Sequence, residues 1–149
     1  MRFFWELGHN RVLSAAVIAW FIAQLLKFII CLVENKRLDF TRLIGLGGMP
    51  SSHSAFVVAL TTAVGQMIGY DSVEFAICAC LSLIVMIDAS GVRRQAGEHA
   101  KLLNQIVEKM YNDEDKDVSE ELRELLGHTP VQVIAGFFIG VVVAFIMVP

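Results

Sequence analysis

Apolar positions along the chain gather into four blocks with polar stretches between them. The first block, about residues 12–33, is long enough at about 1.5 Å per residue to cross a bilayer as one helix. The second and third, about 52–69 and 72–88, are short for a hydrocarbon core of about 30 Å, so small polar ends or local thinning must accommodate them. Gly69-Tyr70-Asp71-Ser72 joins these two blocks as a tight turn and makes them a helical hairpin. The fourth block covers about 130–148. The second block is rich in small residues (Ala55, Ala59, Thr61, Thr62, Ala63, Gly65), which suits close helix packing in lipid. This pattern predicts an all-α, polytopic integral membrane protein. It has four transmembrane helices in a single membrane domain, 1–149, with polar loops at 34–51 and 89–129.

The longer polar loop has a pattern of its own. Val92, Ala96, His99, Leu103, Val107 and Met110 recur at spacings of three and four, which predicts an amphipathic helix. That helix either lies on the membrane or covers a site. The acidic run "NDEDKDVSEE" follows and reads as a solvated loop. A short helix fits "VSEELRELL", with Asp117 as N-cap, Glu120 as its capping-box partner and Gly127 at its C-terminal end.

Composition agrees with the pattern. Hydrophobic residues make up 56% of the 149 residues and charged residues 18%, against about 45–50% apolar in an ordinary soluble chain. The net charge of -3 is concentrated in loops, and no basic stripe with interleaved aromatics suggests a nucleic-acid partner. Cys31, Cys78 and Cys80 lie inside apolar blocks without CxxC spacing and read as small buried hydrophobes. The first block is too long for a signal-peptide core, and no small-residue cleavage site follows, so it is expected to be retained.

Four spans put both termini on one side of the membrane and both polar loops on the other. The loop side carries Lys36, Arg37, Arg42, Arg93, Arg94, Lys101, Lys109, Lys116 and Arg123, and the terminal side only Arg2 and Arg11. The positive-inside rule therefore predicts cytoplasmic loops and termini on the opposite side. In this topology "MPSSH", "DASGVRR" and "GHTP" all reach one face of the membrane.

Those clusters are chemically suggestive. Pro50 and Pro130 sit near helix starts, Ser51 or Ser52 can cap the second block, and Thr129 the fourth. Helix starts present unpaired N–H groups and a positive dipole end to an anion. Gly47 and Gly48 allow close backbone approach. Arg42, Arg93 and Arg94 carry forks that match phosphate oxygens. His53 and His128 supply a nucleophile and an acid. The plainer reading makes these residues ordinary caps, topology-setting arginines and interfacial histidines. Lys27 shares a helix face with Gln24 and is either functional or snorkels to the interface; a small transporter built on this pair is a third, weaker reading. A metal site from His53, His99, His128 and Asp88 has no supporting HxxxH or HExxH spacing, so no metal or other cofactor is expected.

"GGMPSSHSA", "DASGVRRQAG" and "GHTPVQV" resemble the divergent membrane branch of the type 2 phosphatidic acid phosphatase superfamily, which also includes vanadium haloperoxidases. The likeness runs over nearly the whole chain. It implies a metal-independent phosphatase acting through a phosphohistidine. The second motif of that superfamily, Pro-Ser-Gly-His, falls on Pro50, Ser51, Ser52 and His53, with Ser52 replacing the glycine and His53 as general acid. The third motif falls on His128 as nucleophile, with Gln132 where an orienting Asp is expected. The first motif is approached by Lys36 and Arg42, one residue too close together and without the following proline. The Arg expected before the nucleophile is absent, because Leu122 stands there beside Arg123. A segment from Gln95 to about Leu126 inserted into the third motif would explain this, leaving Arg93 or Arg94 as the phosphate ligand.

The resemblance thus implies catalysis by His128 and His53, with Asp88 or Gln132 orienting the ring. Lys36, Arg42, Gly48, Ser51, Ser52, Arg93 and Arg94 would hold the phosphate of a lipid or isoprenoid phosphate drawn from the membrane. Separately, four spans bury little surface, which is compatible with a homodimer. An amide orienter brings no charge, and the same exchange in a serine triad costs about 10⁴-fold in rate. The alternative is therefore a non-catalytic binder of a phosphate or lipid headgroup. A carboxylate from Asp88 on the His128 ring favours the enzyme, and Gln132 alone favours the binder.

Overall fold

Asn10 begins the first helix, its side-chain oxygen accepting the Leu13 N–H at 3.0 Å. In the computed structural model, which describes residues 5, 6, 8–35, 48–110 and 127–149, this helix α1 covers Arg11–Asn35. Helix α2 covers Ser52–Ile68, capped by Ser51 and ended by Gly69 at φ +101°. Ser72 caps α3, Val73–Ser90, by accepting the Phe75 N–H at 3.2 Å. Gly91 closes α3, and α4 follows at once over Val92–Met110. Helix α5, Pro130–Met147, starts with Pro130 in its first turn and a capping box between Thr129 and Gln132. Among the described residues there is no strand, and the chain is all-α. The helix expected from Asp117, like Lys36, Arg42 and Gly47, lies outside the described residues.

Small residues spaced by four decide how the helices pack. Helix α1 buries Ala15, Ala19, Ala23, Lys27 and Cys31. Helix α2 buries Ala55, Ala59 and Ala63, and α5 buries Gly136, Gly140, Ala144 and, just past its end, Val148. These stripes meet: Ala19, Ala23, Ala55, Ala59 and Val143 form one core cluster, and Ala15, Ala63, Ala144 and Val148 the next. A Cβ on Gly140 would come within 2.6 Å of the Ala55 carbonyl oxygen. In lipid, such close approach rather than water exclusion holds helices together.

Helix α3 is fastened to α2 by hydroxyls. The Thr61 and Ser82 oxygens lie 2.7 Å apart, and both reach the Val57 carbonyl, at 2.8 and 2.9 Å. The rest of α3 presents large apolar residues outward, including Ile77, Leu81, Ile84 and Ile87. Cys80 lies on that exposed face and Cys78 is only partly covered, so of the three cysteines only Cys31 is a buried hydrophobe. Helices α1 and α5 and the stretch beginning at Val73 are long and apolar enough to cross a membrane. Helix α2 is apolar but has 17 residues, about 26 Å at 1.5 Å per residue.

The stripe expected on α4 faces outward. Val92, Leu103 and Val107 are exposed, as are Ala96 and His99, while Gly97 and Ala100 are buried. An amphipathic spacing reports that one face avoids water and does not by itself say what covers it.

Candidate functional site

The starts of α2 and α5 and the α3–α4 junction are stitched together by backbone contacts. The Ser51 N–H donates to the Gln132 carbonyl at 2.9 Å, and the His128 N–H donates to the Ala89 carbonyl at 2.8 Å. Gly127, at φ +93°, lies against the backbone of Arg93 and Arg94, where a Cβ would come within 2.7 Å of the Arg94 Cα. A Cβ on Gly136 would run into the Ser51 carbonyl oxygen. Glycine is required at both places because no other residue lets backbones approach so closely. The stretch "DASGVRR" is thereby clamped to "GHTP", although Gly127 and Arg94 are 33 positions apart in the sequence.

His128 is held by one side chain that does two jobs. Its Nδ1 lies 3.1 Å from Gln132 Oε1, and the same oxygen accepts the Thr129 N–H at 3.1 Å. The backbone donor fixes the amide with its oxygen toward the ring, so Nδ1 carries the proton and Nε2 keeps its lone pair. The side chain is 5% exposed. Burial pushes its pKa below the usual 6.5, and the positive charge of Lys27 pushes the same way; hydrogen bonds to Gln132 and to the backbone of Gly48 offset this only in part.

His53 stands in the first turn of α2 with an exposed side chain. The two imidazole centroids are 6.5 Å apart and the planes tilted by 57°.

Lys27 joins this site. It is 5% exposed, and its methylenes run past Gly48, which adopts φ +86° with its absent Cβ 3.4 Å from the stem. The pairing with Gln24 hid this placement. The informative signal is the step of four, Ala15-Ala19-Ala23-Lys27, which puts the ammonium stem on the buried stripe and not on a lipid face.

Other expected residues divide. Arg93, in the first turn of α4, shares a cavity wall with His53. Its Nε is 2.6 Å from Asp88 Oδ2. Asp88, expected as a carboxylate for His128, is thus engaged by Arg93, and the His128 ring is oriented by Gln132. Arg94 is exposed, and its backbone rather than its side chain meets Gly127. Ser51 and Ser52 are buried at 0% and 2% exposure, so they build the turn. The Ser51 hydroxyl accepts from the Ser54 N–H and hydroxyl, at 3.4 and 3.0 Å. Pro50 precedes the cap instead of entering the first turn, and the Met49–Pro50 peptide is cis. Gly48 stands between Lys27 and His128. Lys36 and Arg42 lie outside the described residues.

Beside His53 a cavity of 370 Å³ opens between α1, α2, α3 and the start of α4. His53 and Arg93 are its polar lining residues and the other walls are apolar, which suits an anion carried on a hydrophobic body.

Comparison with known proteins agrees with this architecture. Residues 8–143 match the family described as Divergent PAP2. The chain is 38% identical over 152 residues to the uncharacterized membrane protein YuiD of Bacillus subtilis strain 168, covering 95% of this chain and 96% of that protein. No solved structure matches. With its apolar helices, its paired histidines and a family match over most of its length, the chain is an integral membrane protein belonging to the divergent PAP2 family.

Proposed function

We propose that the chain binds the phosphate of a membrane-borne lipid or isoprenoid phosphate between His53 and His128 and hydrolyses it through a phosphohistidine. The His128 Nε2 lone pair attacks phosphorus while the P–O bond to the alcohol breaks, and His53 delivers a proton to the departing oxygen. Water then attacks the phosphorus, the P–N bond breaks, and His53 takes up the water's proton. Lys27 and Arg93 balance the charge of the phosphate.

The observation that carries this reading is the His128–Gln132 contact. It fixes the Nδ1–H tautomer and leaves Nε2 as a nucleophile opposite a second imidazole. The same contact also favours a second reading. Gln132 is neutral and Asp88 is turned to Arg93, so nothing anionic among these two stabilises a charged His128 ring. A pocket that binds phosphate without turnover has the same geometry.

Phosphate release separates the two. Purified protein in detergent, without added metal, is given a panel of lipid and isoprenoid phosphates beside the His128→Ala variant. Release that vanishes in the variant supports the phosphatase. Vanadate bound by the native protein without release from any substrate supports the binder.

A further inference from the structure

We infer that the 370 Å³ cavity beside His53 seats one hydrocarbon chain, so that the ligand is the phosphate monoester of a single-chain lipid and not of a two-chain one. This deepens the phosphate reading above and rests on it.

The cavity's lining is ordered by depth. Its polar residues are His53 in the first turn of α2 and Arg93 in the first turn of α4, the level at which the phosphate would sit. From there the walls are apolar. Phe56 and Val57 follow His53 by one turn along α2, and Val85 precedes Asp88 by almost a turn on α3. Trp20 and Val17 precede Lys27 by about two and three turns on α1. All three helices therefore carry the cavity from the polar level toward the middle of the apolar layer. Trp20 and Val17 are 38% and 48% exposed, so the cavity is open sideways on α1, where a chain can enter from lipid.

Size selects the occupant. At the packing density of protein interiors, a volume of 370 Å³ holds roughly a dozen chain carbons. That accommodates one alkyl or isoprenyl chain over most of its buried length, and the second chain of a diacyl lipid finds no seat inside the cavity. A charged head at the rim and an apolar column behind it match an amphiphile with one tail, and free phosphate would leave the column empty.

Trp20 makes the test direct, because the chain has two tryptophans and Trp5→Phe leaves Trp20 as the sole emitter. That variant is placed in phosphatidylcholine nanodiscs and titrated with a bromine-bearing dodecyl phosphate, with the matching brominated dodecanol and with a brominated diacyl phosphatidic acid. Quenching by the single-chain phosphate is expected to saturate and to be reversed by unbrominated dodecyl phosphate. The alcohol and the two-chain lipid are expected to quench only in proportion to their bilayer content. Val85→Phe, which fills the column without touching its polar rim, is expected to abolish the saturable part and to keep vanadate binding. If the phosphate and the alcohol quench alike while His128-dependent vanadate binding persists, the chain seat is wrong and the phosphate site stands. If vanadate does not bind at all, both fall.

Discussion

His128 Nδ1 and Gln132 Oε1 lie 3.1 Å apart, and the glutamine that orients the ring also closes the capping box of α5. Tautomer, ring direction and helix start are thus set by one neutral side chain. The pattern this family resembles places a carboxylate there, and the difference can be read in titration. Gln132→Glu keeps the cap and adds a negative charge beside the ring. The acid limb of the pH–rate profile, or of vanadate binding, is expected below 6.5 in the native protein because burial lowers the His128 pKa. In the variant it should move upward by about one unit or more. A limb that does not move would show that another group governs it.

Folding stability should carry the same signature. The folded-state pKa of His128 is lowered, so the unfolded chain binds the extra proton more readily. Stability contributed by the neutral ring is fully present above 6.5 and declines as pH falls from there toward the folded pKa. Thermal unfolding in detergent at pH 7.5 and 5.5 checks the sign: the native protein should lose more on acidification than His128→Gln does.

Lys27 separates function from packing. Lys27→Met retains the stem against Gly48 and removes a buried charge, so the fold should be as stable as before or more so. Vanadate affinity should fall by about tenfold to a hundredfold, a loss of about 1.4–2.8 kcal/mol. Isothermal titration beside thermal unfolding checks both halves, and a destabilised variant with unchanged affinity would make Lys27 a structural residue.

The glycine stripe of α5 predicts a graded loss. Gly136→Ala puts a methyl into the Ser51 carbonyl, and Gly140→Ala puts one within 2.6 Å of the Ala55 carbonyl oxygen. Each should destabilise by about 1–3 kcal/mol through overpacking. Gly136→Ala should weaken vanadate binding as well, since Ser51 immediately precedes the helix that carries His53. Unfolding midpoints and vanadate titration on the two variants distinguish these effects.

The all-α membrane fold was legible because apolar blocks and capping residues such as Ser72 and Thr129 are local signals. Connectivity alone brought the three polar clusters to one level. Legibility stopped where a side chain chooses between neighbours. Asp88 can face His128 or its own Arg93, and the choice depends on how the chain turns at Gly91, between the helices that carry the pair. Lys27 was judged by its neighbour three residues back, whereas its burial follows from the alanines at every fourth position before it. Ser51 of "MPSSH" reads as a ligand group in the sequence, whereas its hydroxyl and N–H are engaged by Ser54 and Gln132.

The most direct measurement of the central claim is to trap the intermediate. Native protein, His128→Ala and His53→Ala are each mixed with a radiolabelled single-chain lipid phosphate, quenched in alkali and mapped by proteolysis. The proposed chemistry predicts an alkali-stable, acid-labile label on the peptide that contains His128. The label should be absent in His128→Ala and reduced but still on His128 in His53→Ala. Phosphate release that proceeds equally in the native protein and His128→Ala, with no label on either, would contradict it.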